Sequence, residues 1–275
     1  LQPIIKSWPP PILDERMKTY KVTLEFDGTR YHGWQEQRNA RSVMGALREV
    51  IEPSLGSPVE LMGAGRTDSG VHALGQVMHV KLHPNDRRSS FPHPAKLQRD
   101  WNDRLPSDIA ILAIEDAHPR FHARHDATAR SYLYQIATRK SAFLKRHVWW
   151  IKDPLNLAAI QHATQLLPGK HDFVRFAAKD PSRPNESTLV VLHAAEASHQ
   201  DDLLTIRLEA SHFLWRMVRR IVGVLVKIGA GEVTPQQFEQ LLQGRGTPDL
   251  DVAAWTAPAS GLFLESVTYP AKSPN

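Results

Sequence analysis

The stretch Val59-Glu60-Leu61-Met62-Gly63-Ala64-Gly65-Arg66-Thr67-Asp68-Ser69-Gly70-Val71-His72-Ala73, followed by Met78, Val80 and Leu82 at alternate positions, reads as strand, glycine-rich turn, strand. Glycines on both sides of Asp68 let the backbone bend sharply and let a bulky ligand approach it. Arg66 stands two residues from Asp68, and a nearby cation favours the charged form of a carboxylate. A carboxylate kept ionised in a cleft suits a nucleophile or an electrostatic stabiliser, whereas a general acid needs the opposite surroundings. The same residues also make an ordinary turn in which Asp68 accepts nearby backbone N–H groups. Local sequence leaves both readings open.

On the N-terminal side, Tyr20, Val22, Leu24 and Phe26 alternate with Lys21, Thr23, Glu25 and Asp27, a half-buried strand ended by the turn pair Asp27-Gly28. Ser42 stands at an N-cap position before Val43, Ala46, Leu47, Val50 and Ile51 at helical spacing. On the C-terminal side, 109–114 reads as a strand buried on both faces. Further strands are expected at 130–137, 188–196, 203–209 and 261–269, and helices at 155–167 and 213–228. Thr234-Pro235-Gln236-Gln237 combines an N-cap, a proline at the first helical position and a capping-box glutamine, with a stop at Gly244. The proline-bearing stretches 83–94 and 178–186 read as loops. The elements fall into two sets, before and after about residue 150, which predicts an α+β architecture with two sub-domains. Residues 1–16, with Trp8 and Pro9-Pro10-Pro11, read as an extended arm.

The chain has 275 residues, enough for a large core without staples. It has no cysteine, which removes disulfide scaffolds, thiol nucleophiles and thiolate zinc sites and fits a reducing cytosol. Thirty-four Lys plus Arg against 29 Asp plus Glu give a net charge of +5, a mild excess compatible with a polyanionic partner. The longest apolar run, 221–226, is far short of the roughly 18 residues of a membrane span.

Between Arg120 and Lys152 lie Arg124, Arg130, Arg139, Lys140, Lys145 and Arg146 against Asp126 alone, interleaved with Tyr132, Tyr134, Trp149 and Trp150. Cations that neutralise phosphates beside aromatic faces that receive unstacked bases suit RNA. A solvated basic surface beside ordinary strand aromatics has the same composition. Arg216, Arg219 and Arg220 share this ambiguity. There is no phosphate loop ending in Gly-Lys-Ser/Thr, no Gly-x-Gly-x-x-Gly and no Gly-x-Ser-x-Gly. His122 and His125, a lone pair without nearby carboxylates, are weak evidence for a metal, and none is expected.

The segment Gly65–Ala73 resembles the signature of the tRNA pseudouridine synthase A (TruA) family. Four more segments fall in the order expected of it. They are Phe26-Asp27-Gly28-Thr29-Arg30-Tyr31-His32-Gly33-Trp34-Gln35; Phe121-His122-Ala123-Arg124 with Ala129-Arg130-Ser131-Tyr132-Leu133-Tyr134; Phe213-Leu214-Trp215-Arg216-Met217-Val218-Arg219-Arg220-Ile221-Val222-Gly223; and Gly261-Leu262-Phe263-Leu264. The resemblance spans about residues 18–270.

It implies the pseudouridine synthase fold, an α+β fold of two similar sub-domains around a largely antiparallel mixed sheet with flanking helices. The expected division is an arm at 1–16, an N-terminal half at 17–115 and a C-terminal half at 116–275. It further implies a cytoplasmic homodimer, without cofactor, metal or membrane, that converts uridine to pseudouridine at nucleotides 38 to 40 of the tRNA anticodon stem-loop. By position in the motifs, Asp68 is the catalytic aspartate and Tyr132 stacks on the target uracil. Arg66 helps extrude and replace the flipped nucleotide, Arg219 pairs with Asp68, and Leu262 lines the pocket. The alternatives are a non-catalytic RNA-binding protein of the same fold, and a nucleosidase or glycosidase. The latter normally needs a second carboxylate, and none is evident.

Overall fold

The computed structural model describes residues 18–82, 91–181, 185–246 and 249–271. The expected arm at 1–16 and most of the expected loop at 83–94 lie outside the described residues, as does part of that at 178–186. Within the described residues, ten strands and five α-helices form an α+β fold. The chain divides into one unit of residues 1–128 with 264–275 and a second of residues 129–263.

In the first unit, β1 (Thr19–Phe26) is antiparallel to both β3 (His72–Leu82) and β4 (Ile109–Ala117), with Val22 opposite Met78 on one side and Ile114 on the other. Strand β2 (Val59–Gly63) pairs antiparallel with β3. Tyr20, Val22, Leu24 and Phe26 are buried, as their alternation predicts. They form a core with Val43, Leu47, Ile51 and Leu55 of α1 (Val43–Leu55) and Leu97 and Trp101 of α2 (Pro94–Asn102). Ser42 caps α1 by accepting from Gly45 N–H at 3.1 Å. Asn102, the last residue of α2, both donates to Ile111 C=O (2.9 Å) and accepts from Ile111 N–H (2.7 Å), satisfying β4 on its open side. Strand β4 is buried on one face only, since Leu112 is 43% exposed. An apolar run predicts burial but does not count the layers that cover a sheet.

The second unit holds β5 (Ala129–Ala137), β6 (Trp149–Trp150), α3 (Leu157–Thr164), β7 (Gly169–Asp172), β8 (Leu189–Gln200), β9 (Leu203–Ala210), α4 (Met217–Gly229) and α5 (Pro235–Leu242). Its sheet runs β5-β9-β8-β7, all antiparallel, with β6 parallel to β5. Leu204, Ile206, Leu208 and Ala210 of β9, with Val190 and Leu192 of β8, are buried, as is almost all of α4. Thr234 and Gln237 form the predicted capping box, with Pro235 at the first helical position. Helix α4 begins at Met217 rather than 213, because Arg216 takes a left-handed conformation (φ +61°) that starts the helix anew. The last strand, β10 (Leu262–Thr268), contains the boundary between the two units.

Candidate active site

Residues 64–71 connect β2 to β3 and carry Asp68. At the start of this loop Ala64 N–H donates to Val77 C=O (2.7 Å) and Gln76 Nε2 donates to Gly65 C=O (3.0 Å). At its end Val71 N–H closes onto Asp68 C=O (3.2 Å), with Gly70 at φ +76°. Between these points the loop is held by the segment after β1. Trp34 N–H donates to Thr67 C=O (3.1 Å). The carbonyl of Tyr31 accepts from Gly70 N–H (3.2 Å) and Ser69 Oγ (3.3 Å). Asp68 is thus pinned through the residues on both sides of it.

Two glycines make this approach possible. A Cβ on Gly28 would lie 1.9 Å from the Val71 carbonyl oxygen. On Gly33, at φ +92°, it would lie 2.5 Å from that of Thr67. Gly28 N–H also donates to Nδ1 of the buried His72 (3.1 Å).

Tyr31 is itself anchored. Its buried hydroxyl donates to Asp108 Oδ1 and accepts from Arg41 (3.2 Å), whose guanidinium lies 4.8 Å from the ring centre. Arg30 and Arg41 approach the Asp108 carboxylate at 3.9 and 4.0 Å. Burial, with the hydrogen bond to Asp108 next, pushes the Tyr31 phenol far above its usual range, so it remains a donor. Asp68 is half-buried and Arg66 is exposed.

In the second unit Tyr132 is half-buried on the β5 face that also bears Arg130 and Tyr134, and its ring meets Phe213 nearly at right angles (5.0 Å, 82°). Tyr134 is wholly buried, and its hydroxyl donates to Pro258 C=O (2.7 Å). It is therefore a core residue and not a stacking face for RNA. Arg219 donates through Nε to Ala257 C=O (2.7 Å), and Ala257 N–H returns a bond to Arg219 C=O (3.0 Å). Its charge acts on Tyr134. Leu262 opens β10 and is buried. The candidate residues Arg66 and Asp68 thus belong to the first unit, and Tyr132, Arg219 and Leu262 to the second.

His79 and His122 hold backbone and side-chain partners in place. His79 meets Glu60 through Nε2 (2.9 Å) and accepts Ala123 N–H through Nδ1 (3.1 Å). His122 Nδ1 accepts from the backbone N–H groups of Arg124 and His125, each at 3.2 Å. Burial, then the charge of His79, pulls His122 down to about 4, so it is neutral near pH 7. Sequence reasoning missed Tyr31, Gly33 and Asp108 as supports. Tyr31 and Gly33 lie in the segment 26–35 that carries the family resemblance, which was the available signal for them, and Asp108 gave none.

The sequence profile of a family described as "tRNA pseudouridine synthase" matches residues 23–126 and 163–270. Those stretches include Arg66, Asp68, Arg219 and Leu262, while Tyr132 falls between them. A protein of Allorhizobium ampelinum named "tRNA pseudouridine synthase A" is 39% identical over 259 residues, covering 92% of this chain and 96% of its own. Proteins of the same name from Thermoanaerobacter sp. (strain X514) and Thermotoga maritima are each 35% identical over 255 residues, 92% of this chain and all of theirs.

Proposed function

The chain belongs to the tRNA pseudouridine synthase family, and on that premise we propose that it isomerises uridine to pseudouridine in the tRNA anticodon stem-loop, at nucleotides 38 to 40, with Asp68 as the catalytic carboxylate. The reaction breaks the C1′–N1 bond, turns the uracil about and joins C5 to C1′. The proton at C5 leaves to solvent and N1 gains one, so no water or redox partner is consumed. An ionised carboxylate serves each available route: attack at C1′, attack on the base, or removal of a sugar proton.

The observation that carries this reading is the double anchoring of the Asp68 loop, by Trp34 on one side and Tyr31 on the other. A group held through its neighbours' backbones loses little freedom when it meets a reacting atom. A target inside a stem must leave its stack, at a cost of a few kcal/mol. Stacking on the Tyr132 ring recovers about 1–3 kcal/mol of that. Arg66, Arg219 and Leu262 keep the roles that the family resemblance gives them. The enzyme is further read as a cytoplasmic homodimer that needs no cofactor. Among the described residues no helix is long and apolar enough to cross a membrane.

The test is incubation with unmodified tRNA transcript tritiated at uracil C5. Tritium release with the base still attached supports the proposal. Free uracil means a nucleosidase, and bound but unchanged RNA means a non-catalytic binding protein. Mapping the product in the same transcript checks the assignment to nucleotides 38 to 40.

A further inference from the structure

The turn between β5 and β6 carries the most exposed large apolar side chain among the described residues. Phe143 at its tip is 94% exposed, and Leu144 beside it 44%. Around it stand Arg139, Lys140, Lys145, Arg146 and Lys152, with no Asp or Glu between 138 and 152. The tip is shaped by its own hydrogen bonds, Leu144 N–H to Ser141 Oγ (3.2 Å) and His147 N–H to Leu144 C=O (2.8 Å). Its base is tied to the β8–β9 turn, where Thr138 N–H meets Asp202 C=O (2.9 Å) and Arg139 pairs with the Asp202 carboxylate (2.5 Å). Lys140 lies over the ring of the half-exposed Trp150, 5.5 Å from its centre.

We infer that this turn is a second tRNA-contacting surface, in which Phe143 stacks on an unpaired base while Lys140, Lys145 and Arg146 engage the flanking phosphates. The inference rests on tRNA being the substrate. Phe143 and Leu144 together present exposed apolar surface within a basic turn, and an unpaired base can cover a flat ring without requiring hydrogen bonds. The surrounding cations suit a polyanion. They oppose burial of this turn against the same turn of a second copy, because like charges would then meet. At the base of the turn the Asp202 carboxylate is already engaged by Arg139.

The test uses full-length protein and an unmodified tRNA transcript, with affinity measured across a range of salt concentrations and the oligomeric state measured by sedimentation. Phe143→Ala is expected to weaken tRNA binding by about 5- to 150-fold. Phe143→Trp should restore it and Phe143→Leu should not. Lys145→Ala and Arg146→Ala should each flatten the dependence of log affinity on log salt by about one. Phe143 is almost fully exposed, so none of its variants should disturb the fold. Unchanged affinity for Phe143→Ala overturns the inference. So does a fall in affinity accompanied by dissociation of copies, which would place the ring in a protein interface. Tritium release by the parent protein is read separately: if it is present while Phe143→Ala binds normally, only the second surface is lost. If the parent binds tRNA and releases no tritium, the proposed activity fails and the affinity series still decides the role of Phe143.

Discussion

The hydroxyl of Tyr31 donates to the half-buried carboxylate of Asp108, while the carbonyl of the same tyrosine accepts from the two residues that follow Asp68. One residue therefore joins the interior of the first unit to the loop that carries the proposed catalytic group. Tyr31→Phe deletes the donor and leaves Asp108 to Arg30 and Arg41 alone. A hydrogen bond to a charged group contributes about 1.5–3 kcal/mol, so urea unfolding should show a loss of that order. Steady-state kinetics should show a lower kcat with little change in KM, because the effect is on placement of Asp68 and not on RNA binding. An unchanged kcat would remove Tyr31 from the positioning role.

Gly33 and Gly231 both have positive φ, at +92° and +77°, but only Gly33 faces a neighbouring backbone, with nothing within 4 Å of a Cβ on Gly231. Gly231→Ala should therefore cost only the left-handed conformation, about 1–2 kcal/mol. Gly33→Ala must in addition push the Thr67 carbonyl away. It should cost at least about 1–2 kcal/mol more, within the range of local overpacking, and reduce turnover beyond what the stability loss explains. Urea denaturation of the two variants side by side checks the difference. Equal losses would mean that the loop adapts freely.

Acid should destabilise the first unit in a defined window. His122 is pulled to about 4, with burial the largest cause and His79, His125 and Lys81 adding to it against Glu60. Burial also lowers His79, against the pull of Glu60. A depressed folded value means that the unfolded chain takes up protons first as pH falls below about 6.5. Stability is then full above that value and declines between about 6.5 and 4. Glu60, lowered chiefly by its bond to His79, adds acid sensitivity only below the usual carboxylate range. Tm should accordingly be lower at pH 5 than at pH 7.5. His122→Asn, which can still accept a neighbouring N–H without titrating, should narrow the gap. A Tm that is flat over this range, or a gap that the substitution leaves intact, contradicts the account.

Much of the fold was legible where a local signal and a tertiary surface agree. The alternation of Tyr20, Val22, Leu24 and Phe26 predicts β1, and Ser42 and Thr234 mark the starts of α1 and α5. Strand β7, Gly169-Lys170-His171-Asp172, carries no alternation and exists because β8 pairs with it. Helix α2 buries only Leu97 and Trp101, starts from His93 and is otherwise polar, so periodicity has little to register. Leu214 continues the apolar stripe of α4 backwards past the break at Arg216, which periodicity cannot see. At the site, the glycines around Asp68 announced a sharp turn. The partnership of Tyr31 with Asp108 joins residues far apart in the chain and left no pattern in either segment.

The sharpest test of the proposed chemistry is Asp68→Asn. The amide has nearly the shape of the carboxylate, and the side chain is half-buried at a turn that is held to Tyr31 and Trp34 through Thr67, Ser69 and Gly70. Folding stability should fall far less than turnover, because the loop's bonds to Tyr31 and Trp34 do not run through the substituted carboxylate. Removing a negative charge beside a polyanion should leave tRNA affinity equal or slightly stronger. Tritium release should fall at least about a thousandfold, the scale on which removing a reacting group acts. Normal binding with lost turnover assigns Asp68 to the chemical step. Turnover near the parental rate would show that another group performs it, and parallel loss of binding and turnover would make Asp68 a structural residue of the loop.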